Sequence, residues 1–230
     1  MNLCKLLLKG TILFSMTLYL QCCNRLEDNE FPEPETVHGI IRDFSSIDGC
    51  ETVIELDDGT IIIPYLLDTS LMLADGQEVE VAYTVLADID YTCKAGLVAE
   101  ITWLKMVGSS PILMQRMDNT TLYTNLPSDP FNILHAKIED DCLEITLSYS
   151  GGCKVHEFIM TYTKLPHFGI YSGTLTLSHN AHGDLCEALI TDKIRYDLIP
   201  LQEAGSGMVR LNLIKSGDQD YQLMIDYYYK

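Results

Sequence analysis

From Thr36 onward apolar and polar residues alternate in short runs, the period-two spacing that puts one face of a β-strand against a core. Val53-Ile54-Glu55-Leu56, then Asp57-Asp58-Gly59, then Thr60-Ile61-Ile62-Ile63-Pro64 has the form of a hairpin, because Asp-Gly supplies the positive φ that a tight turn requires. Asp75-Gly76 marks a further turn, and Glu78-Val79-Glu80-Val81-Ala82-Tyr83 alternates behind it. Strands are expected near residues 37–44, 51–57, 60–66, 78–87 and 97–107.

The second half carries the same signature near residues 133–138, 142–149, 155–163, 171–177, 193–198, 208–214 and 221–229. Between the halves, residues 108–128 lack periodicity and hold the prolines and polar clusters of a connection. No helix of consequence and no internal repeat is expected. The fold class is therefore all-β: an OB-like five-stranded barrel over residues 36–107, then a β-sandwich of about seven strands over residues 129–230. An OB-like barrel does not by itself imply oligonucleotide binding.

The first residues follow a different rule. Lys5 and Lys9 give a short positive region, and Thr11 to Leu20 is apolar but too short to span a bilayer permanently. Leu20-Gln21-Cys22-Cys23 resembles a bacterial lipobox, which makes residues 1–22 a lipoprotein signal peptide and Cys23 the acylated residue. Cys22 is the poorer acceptor, since Gln21 would stand where a small residue is wanted. The competing reading is a buried amphipathic or core helix. Residues 23–35 form an acidic tether, stiffened by Pro32 and Pro34. Its Glu27, Asp28 and Glu30 resemble the surface-export signals of Bacteroides-type lipoproteins, and read equally well as a solvated linker. The expected address is the bacterial outer membrane through a palmitate-bearing lipid on Cys23, with the periplasmic and cell-surface faces both open.

Charge narrows the partners. The chain carries −18, and loss of two signal-peptide lysines leaves −20. Nucleic-acid binding draws its affinity from Lys and Arg displacing counterions, so nucleic acid is not an expected partner. Of the eight cysteines, Cys4 and Cys22 leave with the signal and Cys23 takes the lipid. Cys50, Cys93, Cys142, Cys153 and Cys186 remain, an odd number in a compartment where disulfides persist. Cys153–Cys186 is the favoured pair; Cys50 and Cys93 can pair as well.

Catalytic motifs are missing, and no catalytic residue and no cofactor is expected. His156-Glu157-Phe158-Ile159-Met160 begins like a zinc-protease helix, but Met stands where the second His must be and the stretch reads as a strand. Gly169-Ile170-Tyr171-Ser172-Gly173 misses the G-x-S-x-G spacing by one residue. No phosphate-binding P-loop occurs, and the acid pairs Asp57-Asp58 and Asp140-Asp141 sit at expected turns. One constellation remains: Cys153-Lys154-Val155-His156 with His179-Asn180-Ala181-His182-Gly183-Asp184-Leu185-Cys186. Imidazole with thiolate is a zinc-like ligand set, so His156, His179 and His182 form an alternative metal site, although a Cys153–Cys186 disulfide would remove both thiolates. Thirteen tyrosines, ending in Tyr227-Tyr228-Tyr229, can pack in a core or stack on a sugar.

Ser148-Tyr149-Ser150-Gly151-Gly152-Cys153 with His156, followed by Ser178-His179, Gly183-Asp184 and Cys186-Glu187-Ala188-Leu189-Ile190, resembles the C-terminal domain of NigD-like lipoproteins of Bacteroides-type bacteria. The resemblance spans Thr36 to Lys230 and implies an OB domain followed by a β-sandwich. It implies a bacteriocin-associated or immunity role, drawn from gene neighbourhood, and no catalytic residues. The expected function is a non-enzymatic, lipid-anchored envelope protein that binds an envelope protein or glycan. The alternatives are an envelope oligosaccharide-binding module using the barrel face and tyrosines, and a metal-binding protein using the C-terminal His/Cys cluster.

Overall fold

The structure, a computed structural model, describes residues 34–47, 49–68, 70–114, 126–166 and 169–230. Cys23, the signal peptide and most of the tether lie outside them. Five strands, β1 (Val37–Asp43), β2 (Thr52–Leu56), β3 (Ile61–Tyr65), β4 (Glu78–Val85) and β5 (Leu97–Met106), close a barrel in the order β1-β2-β3-β5-β4. β3 and β5 run parallel, and β1 closes the barrel by pairing with both β2 and β4. Alternation sorts the side chains: Ile54, Leu56, Ile62, Val79, Val81 and Ala99 fill the interior with Ile41 and Met106. β1 can serve two neighbours because Gly39, paired with both Leu56 and Val79, leaves room for Ile54; a Cβ there would lie 2.8 Å from Ile54 Cγ2.

The barrel also buries part of its outer face. Val53 and Ile63 point out of β2 and β3, yet both are buried in a second cluster with Cys50 and Cys93, flanked by Ile61, Tyr91, Ala95 and Val98. The loop between β4 and β5 lies over these strands and is bonded to the β1–β2 loop through the Cys50–Cys93 disulfide. A continuous apolar run such as Ile61-Ile62-Ile63 is the sequence mark of a strand covered on both faces.

The rest of the chain forms two facing sheets. β6 (Ile112–Met114), β9 (Glu157–Lys164), β10 (Tyr171–Asn180), β12 (Met208–Lys215) and β13 (Asp218–Tyr228) make a five-stranded sheet, ordered β13-β12-β10-β9-β6. β7 (Asn132–Glu139), β8 (Cys142–Gly151) and β11 (Ala188–Asp197) make a three-stranded one, ordered β11-β8-β7. Leu143, Ile145 and Leu147 of β8 meet Leu175 and Leu177 of β10 and Leu211 and Leu213 of β12 in the core between them. The one helical element among the described residues is a short 3-10 turn at Ile199–Leu201.

Two details differ from the sequence expectation. Residues 108–128, expected as a plain connection, supply β6, whose Ile112 pairs in parallel with Met160 of β9. The same short strand reaches back toward the barrel half: Met72 N–H donates to Ile112 O, and Met114 N–H to Ser70 O. β11 starts five residues before the expected strand at 193, because its first half is an exposed edge with no alternation to betray it.

Removing the disulfide that closes the 43-residue separation between Cys50 and Cys93 is expected to cost about 4 kcal/mol in the chain-entropy model. Urea unfolding of a Cys50→Ser/Cys93→Ser protein checks this, and a midpoint equal to that of the parent would contradict it.

Candidate functional site

The most concentrated group of chemically active side chains among the described residues lies at one end of the sandwich, where the β8–β9 and β10–β11 loops meet. The Cys153–Cys186 disulfide joins the two loops, with a Cα–Cα separation of 5.9 Å. Beside it, Asp184 closes an Asx-turn: Cys186 N–H donates to Oδ1 at 2.9 Å. Oδ2 accepts the backbone N–H groups of Cys153 and Lys154 at 2.9 and 3.0 Å. The three backbone donors, that of Cys186 foremost, hold the Asp184 carboxyl far below the usual carboxylate range. Lys154 Nζ donates to the carbonyls of His182 and Gly183, tying the same loops a second time.

A chain of polar contacts runs inward from Asp184. His156 Nε2 lies 3.3 Å from Asp184 Oδ2, His156 Nδ1 lies 2.7 Å from His179 Nε2, and His179 Nδ1 lies 3.2 Å from the Asp129 carbonyl. All of it is sealed: the side chains of His156 and Asp184 are 2% and 1% exposed, and His179 is 1% exposed. The protons follow from the partners. A carbonyl only accepts, so His179 carries its proton on Nδ1 and offers a lone pair at Nε2. His156 Nδ1 therefore donates to it. His156 Nε2 faces the Asp184 carboxylate at 3.3 Å, so the chain is directed from His156 to a neutral His179 ring and from there to the Asp129 carbonyl. Burial, foremost, pushes the His179 imidazole below its ordinary value, with the neighbouring His156 adding to the shift, in keeping with a neutral ring.

Aromatic rings hold the two imidazoles. Phe158 stacks on His179 with centroids 4.4 Å apart and planes within 3°, and Phe131 meets its edge at 5.7 Å. Tyr149 lies against His156 at 4.6 Å. Gly151 ends β8 against His156, and a Cβ at that position would overlap His156 Nε2. Each ring nitrogen is thus satisfied within the protein, and the assembly acts as a polar staple that joins the loops to the Asp129 segment.

Of the sequence candidates, the structure brings Cys153 and Cys186 into a bridge and His156 and His179 into direct contact. His182 stands apart, exposed, at φ 48°, with Nε2 3.8 Å from Glu157 Oε2. The two adjoining imidazoles point nitrogen to nitrogen at hydrogen-bond distance, and both sulfurs nearest Asp184 are oxidised to each other. The acid pairs are turn and packing residues: Asp58 Oδ1 accepts Thr60 N–H, Asp140 takes φ 53°, and Asp141 Oδ1 accepts the hydroxyl of buried Tyr227 at 2.5 Å. Sequence reasoning missed the parts of Asp184, Gly151 and Asp129 in the staple. The Gly183-Asp184 pair two residues before Cys186 is an Asx-turn signal that pointed to the first of them.

A cleft of about 360 Å³ opens next to the staple and shares Asp129, Phe131 and Tyr149 with it. Its far wall is the β12–β13 hairpin turn, where Lys215 Nζ lies 3.1 Å from Asp218 Oδ2 and 5.0 Å from the Phe131 ring centroid. The outer face of β2 and β3, which OB folds use for ligands, is by contrast covered by the protein's own β4–β5 loop.

No family model and no curated protein matches the chain. Among solved structures, a NigD-like immunity protein from Bacteroides caccae is similar at 14% identity and TM-score 0.39, covering 87% of this chain and 99% of that one. A protein of unknown function, DUF1344, from Bacteroides vulgatus is similar at 12% identity and TM-score 0.40, covering 85% and 90%. A structure from Bacteroides fragilis named a putative lipoprotein is similar at 9% identity and TM-score 0.34, covering 86% and 99%. The first carries the family name that the sequence resemblance suggested. At TM-scores below 0.5, none of these likenesses assigns an activity to this chain.

The depressed His179 value fixes the sign of a pH effect. The unfolded chain takes up the proton near the ordinary value of 6.5 and the folded chain only lower down, so this contribution is complete above about 6.5 and is lost as pH falls below it. His38, raised chiefly by its hydrogen bond to Asp57, acts in the opposite direction. Between pH 7 and pH 5 the melting temperature of the parent is expected to drop relative to that of His179→Gln; equal slopes would contradict the reading. Gly151→Ala, which forces His156 aside, should cost about 1–3 kcal/mol in urea unfolding, and a neutral effect would contradict the tight contact.

Proposed function

We propose that the protein is a lipid-anchored envelope protein that binds a partner and catalyses no reaction. The lipobox at Cys23 carries this reading, since a positive start, a short apolar run and a cysteine junction form an export-and-acylation signal. Each buried CH₂ of an acyl chain contributes about 0.8 kcal/mol, and stable attachment takes more than one chain, which lipoprotein modification supplies. The described part of the chain begins at Pro34, next to the acidic tether that would space it from the membrane. Among the described residues no helix is long and apolar enough to cross a bilayer.

The staple supports the non-catalytic half of the reading. A general base needs a nitrogen or carboxylate oxygen free to reach a substrate proton, and here His156, His179 and Asp184 spend those atoms on one another and on the backbone. The strongly acidic surface disfavours nucleic acid as the partner. The sequence resemblance to NigD-like lipoproteins adds a bacteriocin-associated or immunity-related role at the outer membrane.

Metabolic labelling with a palmitate analogue tests the anchor. Label is expected on the parent and on Cys22→Ala, and is expected to vanish from Cys23→Ala. Undiminished labelling of Cys23→Ala would overturn the assignment.

A further inference from the structure

We propose that the cleft between the Asp129 segment and the β12–β13 turn binds a neutral, hydroxyl-rich ligand, a sugar unit of an envelope glycan. The proposal deepens the envelope-binding reading and rests on it for the setting; the cleft itself is a property of the fold. Its volume of about 360 Å³ falls in the range of small-ligand sites, roughly 300–1,000 Å³.

The lining selects the chemistry. Ser128, Ser150 and Ser216 bring hydroxyls that both donate and accept, and Asn132 adds an amide with two donors and an acceptor. Ser128, Asn132 and Ser150 are exposed, so these groups face solvent and are open to a ligand. Lys215 is only 14% exposed and already paired with Asp218, its ammonium resting near the faces of Phe131 and Tyr221. It is a fixed donor, not a free cation.

Other ligand classes fit less well. An anion would meet the carboxylates of Asp129 and Asp218 within a protein of net charge −18, while the one lysine of the lining is already paired with Asp218. A cation would have to displace Lys215 from Asp218. An apolar ligand would meet exposed Leu189 and Pro130, but Phe131 lies buried beneath Lys215 and the serines and Asn132 between them would be left without hydrogen-bond partners. A polyol, whose every hydroxyl both gives and takes a hydrogen bond, matches a wall of mixed donors and acceptors without any net charge to neutralise.

The position is also fixed from behind. The His179–Asp129 hydrogen bond and the Asp129 carboxylate, which accepts Ala181 N–H at 2.7 Å, set one wall before any ligand arrives. Gly217, at φ 76°, brings the hairpin turn against Ser128 so closely that a Cβ would lie 2.7 Å from Ser128 Cβ. The Asp129 wall is thus held in place by the protein's own hydrogen bonds, which lowers the ordering cost of binding.

Saturation-transfer NMR on the full chain in detergent tests the proposal, with galactose, mannose and N-acetylglucosamine as neutral probes and glucuronate as the charged control. At least one neutral probe should receive transfer and glucuronate less. Ser150→Trp, an exposed position on the cleft wall, should abolish transfer with the fold intact by circular dichroism. Asn132→Ala should weaken it about fivefold, the loss of roughly one hydrogen bond. No transfer to any neutral probe, a glucuronate signal exceeding theirs, or transfer unchanged in Ser150→Trp would each overturn the proposal. Cys23-dependent palmitate labelling read on the same protein separates the two claims: labelling without sugar transfer retires the cleft assignment and leaves the anchored protein standing.

Discussion

Asp184 accepts hydrogen bonds from three backbone N–H groups and faces one imidazole, and on that carboxylate the working end of the sandwich depends. A buried carboxylate is costly unless its lone pairs are matched. Here the match draws the β8–β9 loop, the β10–β11 loop and, through His156 and His179, the Asp129 segment into one connected unit. The Cys153–Cys186 bridge covers the same junction covalently, and Lys154 ties it once more. The consequence for function is a rigid wall beside the cleft, with chemically capable side chains committed to structure.

The two halves of the protein use one device twice. In the barrel, Cys50–Cys93 fastens the β4–β5 loop over Val53 and Ile63, and that outer face becomes core. In the sandwich, Cys153–Cys186 fastens two loops over a polar staple. The barrel closure occupies the surface most often used for ligands in such folds; an open cleft of about 450 Å³ remains beside β1 and the β1–β2 loop, and the recess proposed for a sugar stands at the sandwich end. Between the halves, β6 and the Gln77 amide, which donates to Asp197 Oδ2 at 2.8 Å, supply direct links.

Much of this was legible in the chain. The barrel strands could be placed within about two residues because Asp-Gly turns punctuate clean alternation. β6 could not, since three residues carry no period and its pairing with β9 is decided by tertiary contact. Only the second half of β11 carries a strand signal, because its first half is exposed on an edge. The nearness of His156 to His179 was visible as shared proximity to two cysteines, but the proton-ordered chain was not. It depends on Asp184 and Asp129, which lie 28 and 50 residues from the rings they meet. The covered barrel face had a signal in Ile61-Ile62-Ile63, where an unbroken apolar run leaves no side of the strand for solvent.

The central claim is that the staple has one hydrogen-bond direction, with His179 protonated on Nδ1 toward the Asp129 carbonyl and accepting at Nε2 from His156 Nδ1. Two-bond ¹H–¹⁵N correlation NMR of the histidine rings in the folded protein reads this directly. The account predicts a protonated Nδ1 on His156, and for His179 a protonated Nδ1 with an acceptor Nε2. An unprotonated Nδ1 on His156, or a proton on His179 Nε2, would contradict it.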